Sequence, residues 1–102
     1  MTRAIDLSWD ELALVCAILR AHLPADIRVR VFGSRATGTA RRYSDLDLAL
    51  EGNGPVGLDI IGDLAEALSE SDLPYKVDVV DLRSIDPAFR ALIEPDMVEL
   101  PY

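Results

Sequence analysis

The chain has 102 residues, 50% of them hydrophobic, and a mean hydropathy of +0.17, which fits one domain with a buried core and excludes a disordered chain. Its formal net charge of −8 at pH 7 excludes the overall basic field of a general nucleic-acid-binding protein. No apolar run approaches the roughly 18 residues of a membrane span, and a single cysteine excludes an internal disulfide.

These properties predict a single domain over residues 1–102, with no direct contact to nucleic acid or membrane. Residues 1–6 lack the apolar core of a signal peptide, so we expect a cytoplasmic protein.

The first predicted element is a helix that begins after Ser8 and ends before Pro24. Ser8 and Glu11 have the spacing of a capping box, and apolar residues recur at helical spacing between the two ends. Cys16 is expected to be a small buried residue of this helix, and His22 a surface residue near its end. A mechanism that depends on histidine is therefore not expected.

A strand is predicted over residues 27–31, where apolar and basic side chains alternate. It leads into the pair Gly33-Ser34, and small polar residues follow up to Gly38. Glycine lets the backbone approach a ligand closely, and free N–H groups at the start of a short helix favour phosphate oxygens. The same pattern is typical of an ordinary strand-to-helix turn, so both interpretations stay open at this point.

A pair of acids, Asp45 and Asp47, stands where the second predicted strand begins. Side chains two residues apart in a strand project from one face, with Cα atoms about 6.6 Å apart, which suits one divalent cation or two. Leu46, Leu48 and Leu50 then face a core. The alternative is a solvated strand face, but neighbouring like charges repel, and Mg²⁺ is the usual ion that stabilises such a pair.

A turn over 52–55 precedes a second predicted helix that ends near Pro74. Its apolar stripe consists of Ile60, Ile61, Leu64 and Leu68. The β-prone run 75–82 follows and predicts a third strand.

Asp78 is an acid among the valines of this third strand. A surface-facing position is one explanation. If the strand instead pairs beside the strand of Asp45 and Asp47, Asp78 completes the three-carboxylate cluster that two-metal nucleotidyl transfer requires. Asp81 falls on the opposite face by parity and is the weaker candidate.

The pair Asp86-Pro87 predicts the N-cap and first position of a last short helix, with Phe89, Leu92 and Ile93 on one side. The apolar tail over 97–102 either packs against the domain or meets a partner. The predicted order is helix, strand, short helix, strand, helix, strand, helix, which indicates an α/β sandwich around a small mixed sheet.

Basic residues are concentrated ahead of the acid pair. Residues 27–44 contain no acid, whereas residues 45–102 carry 14 acids and three bases. Five of the ten basic residues lie in the first segment: Arg28, Arg30, Arg35, Arg41 and Arg42. They either form a solvated edge, or some of them neutralise a triphosphate or meet an acidic partner.

The motif resembles that of the minimal nucleotidyltransferases of the DNA polymerase β-like superfamily, and within it the antitoxins paired with HEPN-domain toxins. The matching residues are Gly33-Ser34, Gly38, Ser44-Asp45-Leu46-Asp47-Leu48 and Asp78. The family often has an arginine before the second glycine, where this chain has Thr37. The resemblance implies the polymerase β-like palm fold, a small mixed sheet flanked by helices.

The resemblance also implies transfer of AMP from ATP to a protein hydroxyl with two Mg²⁺ ions. Gly33 and Ser34 would hold the β- and γ-phosphates, and Ser44 is also assigned to nucleotide binding. Asp45 and Asp47 would ligate Mg²⁺ and polarise the α-phosphate. Asp78 would bind the second metal ion and help to deprotonate the attacking hydroxyl, so all three aspartates are assigned to catalysis and to metal binding.

A second domain for the acceptor is absent from these 102 residues, so a partner is expected to complete the site in a homo- or hetero-oligomer. In the family the partner is a HEPN toxin, a helical ribonuclease neutralised when a tyrosine near its active site is adenylylated. Two alternatives remain: an antitoxin that neutralises by occlusion, and a small-molecule nucleotidyltransferase of the aminoglycoside type.

Overall fold

The structure is a computed structural model that describes residues 5–102. The signal-peptide prediction used residues 1–6, and residues 1–4 of this segment lie outside the described residues. The elements in chain order are α1 (Trp9–His22), β1 (Arg28–Phe32), α2 (Ser34–Thr37), β2 (Leu46–Glu51), α3 (Leu58–Ser69), β3 (Val77–Asp81), α4 (Pro87–Ile93), a 3₁₀ turn (Glu94–Asp96) and β4 (Val98–Glu99). The predicted order is confirmed, and the 3₁₀ turn and β4 are additions.

The four strands form one sheet in the order β3-β2-β1-β4. Strand β1 is antiparallel to both β2 and β4, whereas β2 and β3 are parallel. The sheet is therefore mixed, as predicted. A parallel pair needs a crossover connection, and α3 supplies it between β2 and β3.

One face of the sheet carries the main hydrophobic core. Leu46, Leu48 and Leu50 have no exposed surface, and α1 and α3 cover them with buried residues such as Leu19 and Leu64. This confirms the inward orientation predicted for the three leucines of β2. Each fully buried leucine contributes about 1.5–3 kcal/mol to folding, so this face holds the sheet in place.

Helix α1 begins as its sequence predicts. The Ser8 hydroxyl accepts from the Glu11 N–H at 3.1 Å, and the Glu11 carboxylate accepts from the Ser8 N–H at 3.1 Å. His22 is exposed near the end of the helix, as expected. Cys16 is only half-buried, and its Sγ lies 3.6 Å from the Pro101 carbonyl oxygen.

Helix α4 packs against part of the opposite face of the sheet. Asp86 caps this helix by accepting from the Ala88 N–H at 2.8 Å, which confirms the predicted N-cap. Phe89 packs edge-on against Phe32 of β1, with ring centroids 6.2 Å apart. Leu92, expected on the same side, is 74% exposed because the short helix turns it to solvent.

Glu51, at the end of β2, joins α4 to the sheet. Its carboxylate accepts from Arg30 at 2.8 Å and from Arg90 of α4 at 3.1 Å. The Glu51 side chain is 18% exposed, so water screens these two ion pairs less than a surface pair.

Replacing Glu51 with glutamine is expected to lower the Tm by about 5 °C, because two guanidinium groups lose their shared charged acceptor. Thermal unfolding followed by circular dichroism measures the change. The matched control is Glu99→Gln, since Glu99 pairs with Arg28 at 2.6 Å and both side chains are largely exposed. A shift of no more than about 1 °C is expected there. Equal decreases in Tm in the two variants would contradict the inference that the Glu51 ion pairs are screened less by water than the Glu99 pair.

The C-terminal tail packs against the domain, as the first of the two alternatives predicts. Val98 and Glu99 pair with β1, and Leu100 is 2% exposed. The Tyr102 hydroxyl donates to the Ile27 carbonyl oxygen. Among residues 5–102, no helix is long and apolar enough to cross a membrane.

Candidate active site

The sheet places two of the predicted aspartates side by side. Asp47 of β2 is the Cα partner of Asp78 of β3, and Phe32 of β1 is its partner on the other side. Paired positions share a face, so Asp47 and Asp78 are neighbours on the face opposite the leucine core. Asp45 is exposed and directly precedes β2.

The charges of these carboxylates act on one another. The pKa of Asp47 is raised, first because burial penalises its charged form and then because Asp78 and Asp45 are negative. Lys76 opposes this shift, and its Nζ lies 3.2 Å from Asp78 Oδ1. The cluster therefore has more negative charge than its single lysine balances, which is the electrostatic condition for binding a divalent cation.

The donors fit Mg²⁺, since a hard cation prefers carboxylate oxygens. Within residues 5–102, however, no three His, Cys, Asp or Glu side chains are already grouped as metal ligands. Asp78 is turned toward Lys76. Ligation of an ion by all three aspartates therefore requires side-chain rotation, with the strands already in place.

Gly33 lies directly against Asp47. Its backbone has φ 75° and ψ −157°, a conformation that is essentially restricted to glycine, and it caps α2. A Cβ at this position would overlap Asp47 Oδ2 and lie 3.3 Å from Asp47 Cγ. Ser34 then begins α2, which ends at Gly38 with φ 81°. The predicted phosphate-binding turn and the predicted metal ligand are thus in direct contact.

Ser44 lies in the turn that precedes Asp45. Its hydroxyl accepts from the Arg41 N–H at 2.8 Å, and its own N–H donates to the Arg41 carbonyl at 3.1 Å. These contacts give Ser44 a role in shaping the turn. Its assignment to nucleotide binding stays a prediction.

Asp81 lies on the other face of the sheet, as its parity predicted. It is 6% exposed and accepts from the Val56 N–H at 2.9 Å and the Ser84 hydroxyl at 2.8 Å. Its carboxylate therefore fixes the loop before α3 and stays outside the cluster of the other aspartates.

The structure narrows the interpretation of the five arginines. Arg28 pairs with Glu99, Arg30 pairs with Glu51, and Arg35 is 5% exposed. Arg30 and Arg35 are engaged in shielded internal contacts, so a role toward phosphate is left to Arg41 and Arg42, which are exposed beside the site, while Arg28 is exposed at the other end of β1.

Arg35 is the residue of this region that sequence reasoning misjudged. Its guanidinium lies 3.9 Å from the centroid of the Tyr75 ring and donates to the backbone carbonyl groups of Asp6, Arg42 and Ser44. The sequence places Arg35 between the two glycines of the motif, but this position alone does not distinguish a buried arginine from an exposed one.

Tyr75→Phe is expected to stabilise the protein by about 1 kcal/mol. The Tyr75 hydroxyl is buried and meets no partner at full hydrogen-bonding geometry in the described part of the chain, since the Glu11 carboxylate lies near it but outside that geometry. Burial, followed by the charge of Glu11, raises the pKa of this phenol, so it stays neutral. Phenylalanine keeps the ring beneath Arg35 and removes the unsatisfied oxygen. Urea unfolding measures the change, and a loss of stability would show that the hydroxyl has a partner.

Residues 18–98 match the model of the family described as Polymerase beta, Nucleotidyltransferase. The match covers most of the chain and includes Gly33, Asp45, Asp47 and Asp78. The chain belongs to this nucleotidyltransferase family. The family resemblance of the motif and the polymerase β-like fold are thereby confirmed.

Relatives of this nucleotidyltransferase include a probable protein adenylyltransferase MntA of Haemophilus influenzae. The two are 44% identical over 89 residues, which cover 87% of this chain and 77% of the relative.

Solved structures of toxin–antitoxin complexes share the fold of the nucleotidyltransferase. A complex with AMP-PNP superposes with a TM-score of 0.70 at 28% identity and covers 88% of this chain and 72% of the other. A tri-AMPylated HEPN toxin in complex with its MNT antitoxin, from Shewanella oneidensis, gives a TM-score of 0.66 at 25% identity, covering 88% and 68%.

Proposed function

We propose that this nucleotidyltransferase is an antitoxin that transfers AMP from ATP to a tyrosine hydroxyl of a HEPN-type toxin. The observation that carries the proposal is the contact between Gly33 and Asp47, with Asp78 paired beside Asp47. A phosphate-binding turn and metal-binding carboxylates then act on the same α-phosphate. The Haemophilus influenzae relative, a probable protein adenylyltransferase, supports the reaction class.

The proposed reaction forms a bond from the acceptor oxygen to the α-phosphorus and breaks the bond between that phosphorus and the bridging oxygen. Pyrophosphate leaves. Two Mg²⁺ ions, when bound, neutralise the charge of the phosphates. Asp45 and Asp47 would hold one ion, and Asp78 would hold the second and help to deprotonate the acceptor hydroxyl. Gly33 leaves room for the β- and γ-phosphates, which Ser34 binds, and Ser44 contributes to the nucleotide site.

The HEPN-type toxin is proposed as the partner on the basis of the solved toxin–antitoxin complexes. An AMPylated HEPN toxin bound to an MNT antitoxin has the same fold on the antitoxin side as this chain. We include in the proposal that residues 1–102 act as one domain, and that the toxin completes the site in a hetero-oligomer. A cytoplasmic location follows from the use of ATP.

The test is transfer of label from α-labelled ATP to a purified HEPN-type toxin from the same genome, with Mg²⁺. Label on a toxin tyrosine is expected with the wild type, and none with Asp45→Asn/Asp47→Asn. The matched control is Asp63→Asn/Glu66→Gln, which changes the charge equally at two exposed positions of α3 and is expected to keep full activity.

Three outcomes would overturn the proposal. Full transfer by the Asp45→Asn/Asp47→Asn variant would remove the assigned residues from catalysis. Protection of cells by that variant at equal expression, without any label on the toxin, would establish neutralisation by occlusion. Label on a small alcohol or amino sugar in place of protein would establish a small-molecule nucleotidyltransferase.

A further inference from the structure

Arg35 is a buried cation that the proposed reaction does not use. It is 5% exposed although it lies in α2, between the two glycines of the phosphate-binding turn. In the described part of the chain no carboxylate forms an ion pair with it. A buried charge of this kind is costly unless its donors are satisfied, so its contacts carry information about its role.

The guanidinium of Arg35 binds the backbone of residues 41–44, which form the turn before Asp45. Nε and Nη2 both donate to the Ser44 carbonyl, at 3.1 and 2.8 Å, and Nη2 also donates to the Arg42 carbonyl at 3.2 Å. Nη1 donates to the Asp6 carbonyl at 2.9 Å. The face of the guanidinium rests on the Tyr75 ring, 3.9 Å from its centroid.

These contacts fix the chain immediately before Asp45. On one side of Asp45, the Ser44 carbonyl receives two donors from Arg35. On the other side, the Leu46 N–H donates to the Lys76 carbonyl at 2.9 Å, where β2 begins beside β3. Asp45 is therefore held between an arginine anchor and the sheet, although it is itself exposed.

We propose that Arg35 is a positioning residue for Asp45, which sets the distance between the phosphate-binding turn and the metal-binding carboxylates. Arg35 belongs to α2 with Ser34, and its side chain ends at Ser44, next to Asp45. The Arg35 guanidinium thus connects the phosphate-binding turn to the residue that precedes Asp45. This inference rests on the proposed function only for the role of Asp45 as a Mg²⁺ ligand.

Lysine cannot replace this arginine. An ammonium group is a point donor on a flexible stem, and it cannot bind Ser44, Arg42 and Asp6 in one plane as the guanidinium fork does. Arg35→Lys keeps the charge and loses the geometry, whereas Arg35→Met loses both. Comparing the two separates positioning from the effect of charge.

The experiment measures Mn²⁺ binding by electron paramagnetic resonance in the presence of AMP-PNP, together with steady-state AMP transfer. We expect Arg35→Lys to weaken Mn²⁺ binding about tenfold and Arg35→Met more than that, as for other groups that orient metal ligands. In the transfer assay kcat should fall and partly recover at high Mg²⁺, while the KM for ATP changes less than about threefold.

The control for lost stability is Arg90→Met. Arg90 also donates to a backbone carbonyl, that of Leu82 at 3.2 Å, and it pairs with Glu51 on the α4 side. Its replacement is expected to lower the Tm without changing Mn²⁺ affinity. Mn²⁺ affinity of Arg35→Lys within twofold of wild type, or an equal loss of affinity in Arg90→Met, would overturn the positioning role.

Tyr75→Leu carries the test if the Arg35 variants fail to fold. It removes the aromatic face beneath the guanidinium, and Mn²⁺ binding about threefold weaker than in Tyr75→Phe is expected. Equal affinities in these two variants would overturn the role. If the wild type binds Mn²⁺ but transfers no AMP, the proposed function fails, and the affinities still decide the role of Arg35.

Discussion

Replacing Asp47 with asparagine is expected to lower AMP transfer by about 10³-fold or more while the fold stays intact. Asp47 is the central carboxylate of the cluster, paired with Asp78 and in contact with Gly33. Asparagine has nearly the same shape, but it supplies one neutral oxygen where Mg²⁺, which would stabilise the negative charge on the α-phosphate, needs an anionic ligand. The labelled-ATP assay measures the loss, and circular dichroism verifies the fold.

The same substitution is expected to raise the Tm of the metal-free protein at pH 7. The pKa of Asp47 lies above its ordinary value of 3.8, because of burial and of the charges of Asp78 and Asp45. The folded state therefore binds the Asp47 proton more tightly than the unfolded state, and this group costs stability as the pH rises from 3.8 through the raised pKa. Asparagine has no carboxylate to ionise, so the variant does not lose this stability.

The difference in Tm between Asp47→Asn and the wild type should therefore be greatest near pH 7 and shrink as the pH is lowered toward 4. Calorimetry across this range measures it. Mg²⁺ with AMP-PNP should reverse the order by stabilising the wild type alone. A variant less stable than the metal-free wild type at pH 7 would show that the Asp47 carboxylate contributes net favourable contacts to the fold.

Gly33→Ala is expected to reduce both activity and stability. The backbone at Gly33, with φ 75° and ψ −157°, costs an alanine about 1–3 kcal/mol. The added methyl group would also overlap Asp47 Oδ2 and displace that carboxylate. We expect a fall in Tm of about 10 °C and loss of AMP transfer by at least about 10²-fold.

Gly62→Ala is the matched control for this substitution. Gly62 lies within α3, and a Cβ there meets nothing within 4 Å. Alanine in a helix is about 0.5–1 kcal/mol more favourable than glycine, so this variant should be slightly more stable and fully active. Wild-type transfer by Gly33→Ala would show that Asp47 moves freely and that the contact with Gly33 is dispensable.

Period-two patterns in the sequence predict much of the site. Alternation places Leu46 and Leu48 in the core and turns Asp47 to the other face, and the same parity separates Asp78 from Asp81. Successive side chains of any strand point to opposite faces, so the face of each residue follows from its position in the sequence once the strand is predicted.

The remaining features depend on contacts that are distant in the chain. The pairing of Asp47 with Asp78 requires the register of β2 and β3, which no local pattern specifies. The burial of Arg35 depends on Tyr75, forty positions away, and on the carbonyl of Ser44. Strand β4 has only two residues, too few for a periodic signal.

Strand β4 makes β1 an interior strand at Arg30 and Val31, so both strands that flank the contact between Gly33 and Asp47 have neighbours on each side, whereas Asp78 lies on an edge strand. Phe32, just before Gly33, and Asp47 lie on the two interior strands, whereas Asp78 lies on β3 at the margin of the sheet. Interior strands exchange their amide protons chiefly through global unfolding, while a marginal strand opens locally. Asp47 and the strand that leads to Gly33 are thus paired on both sides, and we expect the larger adjustment at Asp78, whose carboxylate would leave Lys76 to bind Mg²⁺ in the proposed reaction.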